Sequence, residues 1–134
     1  MSIWTHVNGN IRIDSLRFDN NEISTIKNIL GKIIHFDDND YKTNLPCGSE
    51  GSLEYNIVEN PNESDISAFS VSIFGDLRDY DDVDYIEKWF NNILNEFLIR
   101  NAVLEINVEG QQNIILYSVD DEKGNPSCKK IICN

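Results

Sequence analysis

Three observations predict an α+β fold, an antiparallel or mixed sheet with two helices on one face. Apolar and polar residues alternate over residues 53–59 and 67–74, the period of a half-buried strand. Over 23–33 and 86–97 the apolar residues recur instead at helical spacing, which makes one apolar stripe per helix. Strand-like and helix-like segments follow one another as β-hairpin, α, β, β, α, β, β, an order that suits a sheet covered on one side. The chain has 134 residues, the length of one domain, so a single acidic α+β domain over 1–134 is expected.

The first segment, IWTHVNGNIRIDSLRF at 3–18, is rich in β-branched and aromatic residues. Asn8-Gly9 is the strongest two-residue hairpin signal, because a type I′ turn needs positive φ at both positions. It predicts strands at 3–7 and 10–17, with one bulged strand as the alternative. Asp19-Asn20-Asn21 then offers Asx caps for a helix over 22–31, with Ile23, Ile26, Ile29, Leu30 and Ile33 recurring at helical spacing and Gly31 as its stop. KIIHF at 32–36 reads as a short strand, and 37–52 as a polar connection.

Leu53, Tyr55 and Ile57 define the next strand, Asn60-Pro61-Asn62 a turn, and Phe69, Val71 and Ile73 its antiparallel partner. The clearest helix is 82–98. Ile86, Trp89, Phe90, Ile93, Leu94 and Phe97 lie on one face, and Asp81 or Asp82 can cap it. Asp81, Asp82, Asp84 and Glu87 suit its positive dipole end. Two strands follow at 102–108 and 113–119, and the tail adds an edge strand. The β-α-β-β-α-β kernel predicts a ferredoxin-like sandwich with added strands.

The chemistry-bearing residues are few. Asp and Glu number 23 against 11 Lys and Arg, a formal charge of −12. Such a chain repels phosphate backbones and anionic membranes on average, and its field draws basic partners. The same surplus also serves hydration alone. No apolar run approaches the ~20 residues of a membrane-spanning helix. The start has no basic segment leading into an apolar one, so a cytoplasmic chain is expected. Cys47, Cys128 and Cys133 are an odd count, which suits reduced thiols. Their spacing, even with His35 added, does not require a metal, and no cofactor is expected. No motif for nucleophilic, phosphate-binding or metallopeptidase chemistry occurs, and His6 and His35 read as structural histidines, so the chain is expected not to be an enzyme. Gly48-Ser49-Glu50-Gly51-Ser52 is either a backbone anion nest or a flexible turn.

The segment 74–84 is the richest in charge. Asp76, Asp79, Asp81, Asp82 and Asp84 crowd one connection, opposed by Arg78. Their order is not that of a calcium loop. They read as a solvated loop with a helix cap, or as an anionic contact surface for a basic protein. Asp37, Asp38 and Asp40 form a second acidic group.

Trp4-Thr5-His6-Val7-Asn8-Gly9, the 48–52 segment and Phe74-Gly75-Asp76-Leu77-Arg78-Asp79-Tyr80 resemble small uncharacterised phage and prophage proteins. The composition agrees with an AT-rich gene: 18 Asn and 19 Ile against two Ala. The resemblance implies a mobile-element origin. By analogy with small acidic phage proteins it implies an anti-defence inhibitor, anti-CRISPR-like or a nucleic-acid mimic. Its partner would be a basic host nuclease or other nucleic-acid-handling effector, met through the 76–84 and 37–40 carboxylates. The alternatives are a nucleotide-binding module using Arg12, Arg17, Arg78 or Arg100 with Trp4 or Tyr80, and a virion or housekeeping protein with Trp4, Phe18 or Tyr41 at an interface.

Overall fold

A computed structural model describes residues 2–16, 22–30, 46–60, 66–80, 82–120 and 122–133. Six strands and two helices follow in the order β1 (Trp4–Leu16), α1 (Glu22–Leu30), β2 (Glu54–Asn60), β3 (Ile66–Arg78), α2 (Val83–Glu96), β4 (Ile99–Val108), β5 (Gln112–Asp120) and β6 (Pro126–Cys133). They form a mostly-sheet α+β fold. The strand order is β2-β3-β1-β4-β5-β6, and every neighbouring pair is antiparallel. The expected strand over 32–36, the Asn60-Pro61-Asn62 turn beyond residue 60, and Asp19, Asn20, Asn21 and Gly31 lie outside the described residues.

The expected hairpin at Asn8-Gly9 does not form. Residues 4–16 run as one strand that pairs with β3 along its whole length and with β4 from Thr5 to Ile13. Neither Asn8 nor Gly9 adopts positive φ, so there is no I′ turn. The glycine answers a different need: a Cβ on it would stand 2.3 Å from the Val103 carbonyl oxygen and 2.7 Å from Leu104 Cδ1. Glycine inside a strand often marks such a close backbone approach. The alternative of one strand holds in place of the hairpin, but the bulge is not on this segment: the β1–β4 register shift between Arg12 and Ile13 comes from one extra residue on β4, Arg100.

Alternation sorts the side chains onto two faces. Val7, Ile11 and Ile13 of β1, Phe69, Val71, Ile73 and Leu77 of β3, and Ala102, Leu104, Ile106 and Val108 of β4 are buried. Ile26 and Leu30 of α1 and Ile86, Trp89, Phe90, Ile93 and Leu94 of α2 join the same core. Both helices therefore cover the inner face, while His6, Asn8, Asn10, Ser72, Phe74 and Asp76 face outward on the other. Trp89, fully buried, donates its indole N–H to the Leu30 carbonyl at 2.9 Å and ties one helix to the other. Lys130 of β6 reaches Glu87 of α2 at 3.2 Å, which fixes the inner side of the edge strand.

Helix α2 starts as its sequence predicts. The Asp82 side chain accepts a hydrogen bond from the Tyr85 amide at 3.1 Å, satisfying one of the unpaired first-turn amides. The helix stops at Glu96, where Phe97 takes an extended conformation and leads into β4.

Candidate functional site

One end of the sheet gathers the groups that sequence reasoning singled out. Register places the start of β1 beside the end of β3, as Trp4 opposes Arg78, and beside the end of β4, as Thr5 opposes Val108. Val108 in turn opposes Gln112 at the start of β5. The β3–α2 connection, the 109–111 turn and the 46–53 loop therefore meet at one place.

The β3–α2 connection is held by several short bonds. The Asp79 amide donates to the Ile3 carbonyl at 2.7 Å, and the Ile3 amide donates back to Asp79 Oδ1 at 3.2 Å. Asp79 has φ of 52°, the left-handed region that Asp tolerates better than most residues. Thr5, fully buried, donates its hydroxyl to the Tyr80 carbonyl at 2.9 Å. The connection is thereby fixed against β1.

Three of the expected acidic residues line one cleft. Asp79, Asp82 and Asp84 border a volume of about 470 Å³, with Tyr80, Gln111 and Gln112 among the other lining residues. Asp82 also caps α2, and Asp84 lies in its first turn, where the helix dipole favours a carboxylate. Asp76 stands apart from the cleft. It points out of the open sheet face, directly opposite His6. Asp81, Asp37, Asp38 and Asp40 lie outside the described residues.

Two further carboxylates reach this end that the sequence reading did not place there. Glu50 sits on the 46–53 loop and contacts Arg78 Nη1 at 2.5 Å. Glu109, in the β4–β5 turn, accepts from the Trp4 amide at 2.9 Å and lies 3.6 Å from His6 Nε2. No local signal in the sequence reports either placement, because both come from strand register. Among the described residues, Glu50, Asp76, Asp79, Asp82, Asp84 and Glu109 thus share this end with the Arg78 guanidinium and the His6 imidazole.

Arg78 is the local counter-ion that its position suggested. Besides Glu50, it donates from Nε to Ser2 Oγ at 2.9 Å and lies 3.7 Å from Asp79 Oδ2. His6 lies between two carboxylates, with Asp76 Oδ1 2.5 Å from Nδ1 and Glu109 beside Nε2. The hydrogen bond to Asp76 raises its pKa above the ordinary 6.5, and Glu109 adds to the effect against a smaller opposing cost of burial. His6 is therefore a hydrogen-bonded residue of the open face.

The 48–52 segment does not form an open anion nest. Its Gly48 amide donates to the Gly51 carbonyl and its Ser49 amide to the Arg78 carbonyl, each at 2.9 Å, while the Arg78 amide donates to the Glu50 carbonyl at 3.0 Å. The loop is docked on the end of β3, closely enough that a Cβ on Gly51 would meet the Asp76 carbonyl. Of the two readings, a turn is right, but it is anchored by backbone hydrogen bonds.

No group of three or more His, Cys, Asp or Glu among the described residues is arranged to hold a metal ion. Cys47, Cys128 and Cys133 are free thiols. Cys128 and Cys133 are an odd number of residues apart on β6, so they point to opposite faces. Burial, helped by Glu87, raises the Cys128 pKa. His35 lies outside the described residues. No helix among the described residues is long and apolar enough to cross a membrane. No protein-family model, no curated protein and no solved structure matches this chain.

Proposed function

We propose that this chain is a non-enzymatic acidic interaction protein of phage or mobile-element type. In this reading it is an anti-defence inhibitor acting in the host cytoplasm, and it blocks a basic, nucleic-acid-handling surface. The observation that carries the reading is the cleft bordered by Asp79, Asp82 and Asp84, with Glu50, Asp76 and Glu109 beside it at the same end of the sheet. Carboxylates collected at one end present a directional field, whereas scattered ones serve hydration. A groove built for phosphates is attracted to such an end, and steering contributes chiefly to the association rate.

The nucleotide-binding alternative gains less support. Arg12 contacts Asp14 at 3.3 Å, Arg100 contacts Asp14 at 3.6 Å, and Arg78 contacts Glu50. The cleft is lined by carboxylates, which repel phosphates. The scaffold is proposed as a ferredoxin-like kernel: β2-β3-β1-β4 with a helix after β1 and after β3, extended by β5 and β6. Fold alone does not decide function, and the reading rests on the acidic end.

The test is inhibition of a panel of basic nucleases, measured at low and high salt. The expected result is inhibition at low salt that weakens as salt rises and is lost in the triple variant Asp79→Asn, Asp82→Ser, Asp84→Asn. Serine in place of Asp82 keeps a side chain able to cap the helix, so the variant removes charge and not the fold. Absence of inhibition of every nuclease at low salt overturns the proposal, as does undiminished inhibition by the triple variant.

A further inference from the structure

The open face of the sheet collects exposed apolar side chains. Five of the eight exposed large hydrophobics among the described residues, Val58, Phe74, Val103, Val119 and Ile131, point out of this face, at 40% to 49% exposure. Register makes part of them contiguous. Val103 opposes Tyr117 across β4 and β5, and Ile115 opposes Ile131 across β5 and β6. A chain of net charge −12 would ordinarily cover a solvated face with carboxylates. The outer rows instead hold neutral amides and hydroxyls, including Asn8, Asn10, Asn56, Ser72 and Asn107. The charged groups present are mostly paired: Arg12 and Arg100 with Asp14, and His6 between Asp76 and Glu109, with Lys129, Glu54 and Glu105 also on the outward rows.

We propose that this face is a self-association surface on which a second copy of the chain packs, sheet against sheet. Three arguments select a second copy. Amides and hydroxyls both donate and accept, so a surface of them is complementary to itself, as a two-fold interface requires. Of the carboxylates of the acidic end, Asp76 and Glu109 reach this face, both against His6, while Asp79, Asp82 and Asp84 border the cleft at the sheet end, so two copies can meet by this face without opposing the cleft directly. The size also suffices. Six strands at ~4.8 Å spacing and the Trp4–Arg12 length at ~3.4 Å per residue give about 24 by 27 Å, or roughly 650 Å² per copy. Two such faces bury roughly 1,300 Å², within the ~1,200–2,000 Å² of stable interfaces. The inference stands independently of the acidic-end reading, and salt acts on the two in opposite directions. Screening the net charge strengthens this association, while it weakens capture of a basic partner.

Size-exclusion chromatography with light scattering, from micromolar to millimolar protein, tests it. The expected mass is twice 15.4 kDa, with the dimer fraction rising as salt is added. Val103→Glu and Ile131→Glu should each give monomers with an unchanged circular dichroism spectrum. Ile132→Glu, on the helix side of the same edge strand, should leave the dimer intact. A wild-type chain that stays monomeric at millimolar concentration overturns the proposal. So does a dimer that survives both face variants, or one broken only by Ile132→Glu, which would indicate association through the strand edge.

Discussion

Replacing Gly9 by alanine tests the central strand directly. In a type I′ turn the substitution would place alanine at positive φ, at a cost of about 1 kcal/mol. In β1 the added Cβ lies 2.3 Å from the Val103 carbonyl oxygen, 2.7 Å from Leu104 Cδ1 and 2.9 Å from Leu104 Cα. The leucine methyl can rotate aside, but the two backbone atoms belong to a strand paired on both sides. Relief therefore requires β1 and β4 to separate locally, which weakens their ladder. Overpacking costs ~1–3 kcal/mol where side chains can yield, so about 3 kcal/mol or more is expected where backbone must. For a domain of this size, 1 kcal/mol corresponds to about 4 °C in Tm, so a fall of about 12 °C should follow. Urea and thermal unfolding measure it, and Asn8→Ala, at an exposed outward position, should stay within ~0.5 kcal/mol of wild type. A Gly9→Ala variant as stable as the wild type would refute the close-approach argument.

Trp89→Phe should cost about 2–4 kcal/mol in urea unfolding, since it opens a cavity and leaves the Leu30 carbonyl without its indole donor. Asp82→Ala should lose about 1 kcal/mol of stability with its helix cap, whereas Asp82→Ser should retain most of it. The pH dependence follows from His6, whose folded-state pKa is raised above 6.5. A raised pKa makes the stabilising contribution complete below 6.5 and removes it as pH climbs through the folded-state value. His6→Gln should flatten stability between pH 6.5 and that value; an unchanged profile would show that Asp76 and Glu109 do not act on it.

Helix α2 is legible in the sequence because its information is local. Ile86, Trp89, Phe90, Ile93 and Leu94 are buried on one face as expected, and Asp82 stands where a cap is needed, whereas Phe97, expected on the same face, lies just past the helix end in extended backbone. The same holds for β2, β3, β4 and β5, whose alternation marks a buried and a solvated side, though β3 runs on to Arg78 and β4 begins earlier, at Ile99. The candidate site is only partly legible. Asp79, Asp82 and Asp84 are near in sequence and meet at one cleft, whereas Glu50 and Glu109 reach the same end only through strand pairing.

The amino-acid sequence alone determined the α+β class, the acidic balance and the elements whose periodicity is contained within a few turns or a few alternations. Tertiary structure decided the rest. Asn8-Gly9 satisfies a tight turn and a crowded strand equally well, because glycine is the answer to both. The choice came from β3 and β4, distant along the chain, which pair with β1 on its two sides. The same pairing set His6 between Asp76 and Glu109. Contacts between residues so far apart leave no periodic trace, since their partners are brought together only when the sheet closes.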